Sequence, residues 1–246
     1  MIRIWARAAV ALMLMAGAAL AETCRDMVFE DQSYAICDVT VGADLQLFLT
    51  GADDRPIGTF DRLRDQVEAG GQRLVFAMNA GMYHSDRAPV GLYIEAGREV
   101  APIVTAEGPG NFGLLPNGVF CIGTDSFAVV ESRAFAAAPP DCAFATQSGP
   151  MLVIDGALHP RFLPDSDSRY VRNGVGVSAD GQRAVFAISD ARVTFHEFAR
   201  LFRDGLGLPN ALYFDGKVSR LYAPGIGRDD IGFPMGPMVG LLAPGR

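Results

Sequence analysis

The chain has 246 residues, of which 50% are hydrophobic and 20% are charged, and its formal net charge at pH 7 is −7. An acidic chain without a basic stripe repels nucleic acid, so we expect no nucleic-acid partner, and an anionic substrate would need a local cationic pocket. The length suits one sizeable domain or two small ones.

Residues 1–21 have the pattern of a secretory signal peptide rather than of a folded element. Arg3 and Arg7 supply the positive charge, residues 8–20 form an apolar segment, and Ala19-Leu20-Ala21 is a small-residue cleavage site. The apolar segment is too short to span a bilayer as a helix, and no later run reaches that length. We therefore expect a removed signal peptide and no transmembrane segment.

The mature chain, residues 22–246, is expected to form a single domain in the periplasm or outside the cell. A lipoprotein is the alternative, because Cys24 lies close to the cleavage point. However, Thr23 precedes this cysteine where a small Ala or Gly would be expected.

All four cysteines lie in the mature chain. An even number of cysteines in an oxidising compartment predicts disulfides. Of the three possible connectivities we favour the pairs that are closest in sequence, Cys24–Cys37 and Cys121–Cys142. The spacings resemble no zinc signature.

Short apolar runs bounded by turn residues predict strands along the whole chain. They lie at 34–50 (two strands), 74–78, 90–100 (a hairpin), 113–122 (a hairpin turning at Pro116-Asn117-Gly118), 127–130, 151–154, 171–177 with 183–188 (a hairpin), 211–214, 218–222 and 238–242.

Two segments predict amphipathic helices. Thr59 opens the first, which ends at Gly70-Gly71, and Thr194-Phe-His-Glu197 forms a capping box for the second, which ends at Gly205. Many short strands with only two clear helices predict a single α+β domain built on a mostly antiparallel mixed sheet.

Polar turns lie at the ends of several predicted strands. Asn79-Ala-Gly81, Ser148-Gly-Pro150 and Asp215-Gly216 contain glycine, Ser189-Asp190 ends a strand, and Arg172-Asn173 begins one. Sites often form where strand ends and loops converge on one rim, so these residues are site candidates. The alternative is that each is only a turn, and Asp-Gly in particular is a strong hairpin signal.

Other site chemistries have weaker support. A serine nucleophile needs a base, but the chain has only His84, His159 and His196 and no nucleophile elbow. A metal site of His84, Asp86 and His159 is conceivable, but the spacing is not diagnostic. Because there is also no phosphate-binding loop or dinucleotide fingerprint, we expect neither a metal nor a cofactor.

Six sets of segments keep a recognisable order and spacing between residues 74 and 223. They are 79–83 with 89–93, 147–150, 172–176, 189–190, 195–199 and 210–222. Together they resemble the phosphodiester glycosidase domain family, which includes the lysosomal uncovering enzyme, an N-acetylglucosamine-1-phosphodiester α-N-acetylglucosaminidase, and above all the family's secreted bacterial branch. The acid of the animal enzyme precedes three glycines and a serine, whereas Gly216-Lys217-Val218-Ser219 follows Asp215 here.

The resemblance implies a secreted hydrolase that removes a sugar from a sugar-1-phosphodiester in an envelope or extracellular phosphoglycan. The leaving phosphate monoester is a weak base and needs little protonation. Such a site requires a cation at the phosphate and an anion near the oxocarbenium-like sugar. Arg172 is the candidate for the cation, and Asp215 and Asp190 are the candidate carboxylates, one as base or nucleophile and the other as acid or orienting group.

The remaining candidates are expected to hold sugar hydroxyls or phosphate oxygens, or to offer open backbone N–H groups: Asn79, Ser148, Ser219, Gly81, Gly149 and Gly216. Two other classes of function stay open. One is a non-catalytic carbohydrate- or phosphoglycan-binding envelope protein that keeps the pocket, and the other is a structural envelope protein in which these residues are only turns. The sequence predicts no oligomeric state.

Overall fold

A computed structural model of the chain describes residues 23–245. The predicted signal peptide, residues 1–21, lies outside the described residues. Strands account for 41% of the structure and helices for 13%, which confirms the α+β class with mostly antiparallel sheets.

The strands, in chain order, are β1 (Cys24–Phe29), β2 (Gln32–Thr40), β3 (Asp44–Phe48), β4 (Gln72–Asn79), β5 (Tyr93–Glu95), β6 (Arg98–Ala101), β7 (Gly118–Ile122), β8 (Phe127–Glu131), β9 (Phe144–Ser148), β10 (Met151–Ile154), β11 (Ala157–Leu158), β12 (Asn173–Val177), β13 (Arg183–Ser189), β14 (Asn210–Asp215), β15 (Leu221–Ala223), β16 (Arg228–Asp229) and β17 (Met238–Pro244). The helices are α1 (Phe60–Ala69), α2 (Ser132–Ala137) and α3 (Phe195–Arg200), and a π-helical turn, Leu201–Gly205, extends α3.

The strands form three sheets that enclose one apolar core. The first has the order β1-β2-β13-β12-β14-β10-β11, the second β16-β15-β4-β17-β3 and the third β6-β5-β9-β7-β8. Phe186 of the first sheet lies 5.4 Å from Phe76 of the second and 5.6 Å from Phe120 of the third, measured between ring centroids. All three rings are fully buried, so this aromatic cluster joins the sheets.

The two predicted helices are present and cover the outer faces of the sheets. α1 buries Phe60 and Leu63 in the cluster that also contains residues of the second sheet. α3 begins with the predicted capping box, in which Thr194 and Glu197 each accept a hydrogen bond from the other's backbone N–H. The short helix α2 was not predicted, because its N-cap is Glu131 and glutamate is not among the residues preferred at that position.

One predicted hairpin is wrong. Residues 113–117 form no strand, and Asn117-Gly118 is not a hairpin turn, because β7 begins at Gly118 and pairs with β8 and β9. The buried Asn117 side chain donates to the Phe112 carbonyl instead. A Cβ on Gly118 would lie 3.0 Å from Met151 Cγ, so this glycine provides close packing rather than a turn.

Both predicted disulfides are present. Cys24–Cys37 joins paired residues of β1 and β2, and Cys121–Cys142 joins β7 to the segment before β9. No helix within residues 23–245 is long and apolar enough to cross a membrane. The disulfides are consistent with an extracytoplasmic protein.

Candidate active site

The site lies where the chain crosses from the first sheet to the second. β14, which ends at Asp215, pairs with β12 and β10, whereas β15 pairs with β4 and β16. Because β14 and β15 belong to different sheets, Asp215-Gly216 is not the turn of a β-hairpin, and that alternative is wrong. The crossing segment, residues 216–220, is instead free to form one wall of a cleft.

The cleft has a volume of about 550 Å³ and a mixed aromatic and polar lining. The lining residues are Met82, Tyr83, Val90, Gly110, Asn111, Ser168, Tyr170, Tyr213, Asp215, Gly216, Lys217 and Val218. Among them are one carboxylic acid, Asp215, and one amine, Lys217. Three tyrosines beside an acid and a base suit a polar ligand with an apolar ring face, such as a sugar.

The Asp215 carboxylate is held in this cleft by the backbone of the next two residues. Its Oδ1 accepts hydrogen bonds from the backbone N–H groups of Gly216 (2.5 Å) and Lys217 (2.8 Å). Burial raises the pKa of Asp215 above its ordinary value, although these N–H groups and the Lys217 charge act in the opposite direction. Since a raised pKa makes a carboxylate a stronger base, this side chain is suited to accept a proton.

The buried amide side chains of Asn79 and Asn173 hold the segment that follows Asp215. Asn173 Oδ1 accepts from the Asp215 backbone N–H (3.1 Å) and from Asn79 Nδ2 (3.2 Å), and it lies 3.2 Å from Ser219 Oγ. Asn79 Oδ1 accepts from the Arg220 backbone N–H at 2.9 Å. Asn79 and Asn173 are fully buried, so they position the loop and do not line the cleft.

The sequence placed Asn173 beside Arg172 at the start of a predicted strand but assigned it no role. The structure shows why Asn173 matters: this fully buried amide begins β12 next to Arg172 and lies opposite Asp215 in the sheet register. That register cannot be read from the sequence.

Arg172 is fully buried and forms no salt bridge with any described residue. Its Nε donates to Val193 O and its Nη2 to Ser168 O, both at 2.9 Å, while Nη1 has no hydrogen-bond partner. The guanidinium carbon lies 3.6 Å from the centroid of the Phe195 ring. Burial lowers the pKa of Arg172, but an arginine remains charged at physiological pH.

The guanidinium lies behind the aromatic wall of the cleft. Its carbon is 5.4 Å from the ring centroids of both Tyr170 and Tyr213, which line the cleft. Arg172 therefore supports these two rings and places a positive charge beneath them. It does not line the cleft itself.

Stacked rings continue outward from Arg172. Phe195 stacks on Phe162 with centroids 4.9 Å apart, and Phe162 stacks on His159 at 4.7 Å. Burial lowers the pKa of His159. Whereas His159 is buried, His84 is exposed, and no three His, Cys, Asp or Glu side chains cluster within residues 23–245.

Three further candidates are placed inside the protein. Ser148 Oγ donates to a carbonyl of β14 at 3.0 Å and is fully buried. A Cβ on Gly81 would lie 2.9 Å from Thr146 Oγ1, and one on Gly149 would lie 2.5 Å from Asn117 Cβ. These residues connect and pack the strands that carry the site, and none of the three lines the cleft.

Asp190 faces a second groove, of about 580 Å³, on the other side of the crossing segment. Its Oδ1 pairs with Arg228 Nη1 at 2.5 Å, and Arg228 also bonds to Asp230. Ser219 lines this groove as well, whereas Gly216 and Lys217 line both the groove and the cleft. The crossing segment therefore lies between the two candidate aspartates, Asp190 and Asp215.

Comparison with known proteins identifies the class of this chain. The profile of the family described as phosphodiester glycosidase matches residues 72–230, so the chain belongs to the phosphodiester glycosidase family. It is also similar to a protein of Escherichia coli (strain K12) described as the uncharacterized protein YigE, with 34% identity over 203 residues, 81% of this chain and 79% of that protein. These matches confirm the resemblance seen in the sequence.

Solved structures share the fold at low sequence identity. The catalytic domain of zebrafish N-acetylglucosamine-1-phosphodiester α-N-acetylglucosaminidase, auto-inhibited by its pro-peptide, superposes with a TM-score of 0.56 at 14% identity, covering 89% of this chain and 81% of that one. A hypothetical protein from Synechocystis gives a TM-score of 0.57 at 15% identity over 89% of this chain. That match covers 61% of the Synechocystis chain, less than two thirds of its length.

Proposed function

We propose that the chain is a hydrolase that releases a sugar from a sugar-1-phosphodiester outside the cytoplasm, and that Asp215 is its catalytic carboxylate. Membership of the phosphodiester glycosidase family supports the class of reaction. The observation that carries the proposal is the position of Asp215, the one acid among the described residues that line the tyrosine-rich cleft, held there by two backbone N–H groups.

The chemistry of the leaving group agrees with one carboxylate in the cleft. In net terms, the bond between the anomeric carbon and the phosphate oxygen breaks, its electron pair stays on that oxygen, and water adds its oxygen to the anomeric carbon. A phosphate monoester leaves as a stable anion, so no second acid is needed to protonate it. Asp215 acts at the sugar, as the base that takes the proton of water or as the nucleophile.

The other candidates support this site from a distance. Asp190 is an orienting residue, because it holds Arg228, which in turn binds Asp230, and Asp230 accepts from the backbone N–H of Leu221 at the start of β15. Through these contacts Asp190 helps to fix the end of the crossing segment that leads into β15.

Arg172 stabilises an anion in the cleft through the tyrosine wall. Its guanidinium forms no salt bridge with a described residue, although the Glu197 charge acts on it, and it lies 5.4 Å from the ring centroids of both cleft tyrosines. Gly216 fixes the Asp215 carboxylate, and Asn79 and Ser219 fix the loop that carries it. The tyrosines provide the face on which a sugar ring packs.

Hydrolysis is tested with a panel of sugar-1-phosphodiesters that differ in the sugar. We expect the purified protein to release free sugar from at least one of them, and Asp215→Asn to lower the rate by about 10²- to 10⁴-fold, the range typical of a lost base. Asn keeps an acceptor oxygen for both backbone N–H groups, so folding should be preserved. A protein that binds a panel member without releasing sugar would instead be a carbohydrate-binding protein, and one that neither binds nor cleaves any member contradicts the proposal.

A further inference from the structure

The chain has a single lysine, and it lies at the candidate site. Lys and Arg together number 21, of which only residue 217 is Lys, so the other twenty are Arg. Lys217 comes two residues after Asp215 and lines both the cleft and the second groove. Because Lys217 lies at the edge that the cleft shares with the second groove, its side chain can reach a ligand in either of them.

The Lys217 ammonium is not used by the fold. The residue is exposed, and within residues 23–245 its ammonium forms no hydrogen bond or salt bridge, although its backbone N–H binds Asp215. The neighbouring cations are already engaged, since Arg228 binds Asp190 and Asp230, and Arg220 donates to the Phe233 carbonyl.

Arg172, the cation predicted to bind the phosphate, cannot make the same contact without rearrangement. It is fully buried, and two of its nitrogens already donate to backbone carbonyls. Of the side chains that line the cleft in the described structure, Lys217 is therefore the one cation that can touch an anionic ligand.

We propose that Lys217 binds the phosphate group of the substrate and makes the site selective for a phosphodiester over an uncharged glycoside. This inference rests on the proposed function. As the bond to the anomeric carbon breaks, negative charge grows on the departing phosphate oxygen. An ammonium is a compact charge that stabilises this oxygen more in the transition state than in the bound substrate. Asp215 and Lys217 thus place an anion at the sugar and a cation at the phosphate from one loop.

Substitutions at Lys217 test the requirement for charge. With the phosphodiester that the protein cleaves, we expect Lys217→Met to lower kcat/KM by roughly tenfold, the effect of losing one hydrogen bond to a charged group. Lys217→Arg should retain most of the activity because it keeps the charge. Residue 217 is exposed, so neither substitution should alter folding.

Chemical modification separates the charge from the size of the side chain. Acetylation of the wild type removes the charge and should reproduce the loss seen with Lys217→Met, whereas reductive dimethylation keeps the charge and should leave most activity. Lys217→Arg is the matched control, because its one remaining reactive amine is the N-terminus, and acetylation should not affect it.

The outcomes distinguish this inference from the proposed function. Turnover by the wild type with full activity in Lys217→Met and in the acetylated protein overturns the role of Lys217 and leaves the proposed function standing. Absence of turnover in the wild type contradicts the proposed function. In that case the rate of Lys217 acetylation is measured by mass spectrometry with glycerol 3-phosphate or glycerol present. Protection by the phosphate alone supports an anion site at Lys217, and equal labelling refutes it.

Discussion

The close approach of Tyr213 to Gly216 makes the geometry of the cleft testable without a substrate. A Cβ on residue 216 would lie 2.2 Å from the Tyr213 hydroxyl oxygen. The next nearest atoms, Tyr170 Cβ and Tyr213 Cζ, would both be at 3.4 Å, which is ordinary contact. In Gly216→Ala the new methyl group therefore collides with one atom, the phenolic oxygen.

The expected loss of stability follows from that collision. Tyr213 is 1% exposed, so its ring cannot swing freely away, and the two groups must separate by roughly 1 Å. Overpacking of this kind costs about 1–3 kcal/mol, and the lower entropy of the unfolded chain with Ala returns about 0.4–1 kcal/mol. We expect a net loss of about 1–2 kcal/mol, which lowers Tm by roughly 2–8 °C in a protein of this size.

Thermal unfolding of four proteins measures the effect: the wild type, Gly216→Ala, Tyr213→Phe and the double variant. Removing the hydroxyl relieves the collision, so the double variant should be more stable than the sum of the single changes predicts, by about 1 kcal/mol or more. Gly225→Ala is the control, because a Cβ there meets nothing within 4 Å. If Gly216→Ala costs no more than this control, or Tyr213→Phe gives no coupling, the described packing of the cleft wall is wrong.

Three further predictions concern stability. Because burial raises the pKa of Asp215, the folded protein holds this proton to a higher pH than the unfolded chain does, so the wild type loses stability as pH rises through that window. Asp215→Asn, which does not titrate, should be at least as stable as the wild type at pH 7, and this advantage should shrink as the pH falls toward about 3.9. A difference in Tm between the two proteins that stays constant across this range contradicts the raised pKa. Asn173→Ala leaves buried partners unpaired and should cost about 1–3 kcal/mol in urea unfolding. Asn210→Ala, at a half-buried position whose hydrogen bonds with Asp155 are at the surface, should cost less. Replacing Cys24 and Cys37 together by Ala opens a loop of 13 residues and should cost roughly 3 kcal/mol, and an unchanged unfolding midpoint would show that this disulfide does not constrain the unfolded chain.

The elements with strong local signals were predictable from the sequence. The capping box at Thr194, the hairpin of residues 171–177 and 183–188 and the amphipathic helix after Thr59 depend on residues close in the chain, and all three are present. The predicted hairpin at Asn117-Gly118 is wrong because Gly118 begins β7, and the pairing of β7 with β9 joins residues that are distant in the chain.

The site was predictable as a set of strand ends but not as a geometry. Asn79, Asn173 and Ser219 do meet beneath Asp215, because β4, β12 and β15 converge there. Which side of the crossing segment each side chain faces depends on sheet pairing, which local patterns do not encode. For this reason the sequence placed Asp190 and Asp215 in one cleft, whereas the structure sets them on opposite sides of a loop.

The two ends of the cleft differ in rigidity, and this difference should control specificity. Asp215 is fixed by backbone N–H groups and the buried Asn173, and Tyr213 is held against the Arg172 guanidinium, so the end that we propose for the sugar is preorganised. The Lys217 side chain has no partner in residues 23–245 and can follow the phosphate. A rigid pocket discriminates shape, whereas a flexible point charge recognises an anion of any shape. We therefore expect kcat/KM to vary by about tenfold or more among phosphodiesters that differ in the sugar, and by much less among those that differ only in the alcohol beyond the phosphate. The reverse ranking would place the rigid contacts at the leaving group and would contradict the assignment of Asp215 to the sugar.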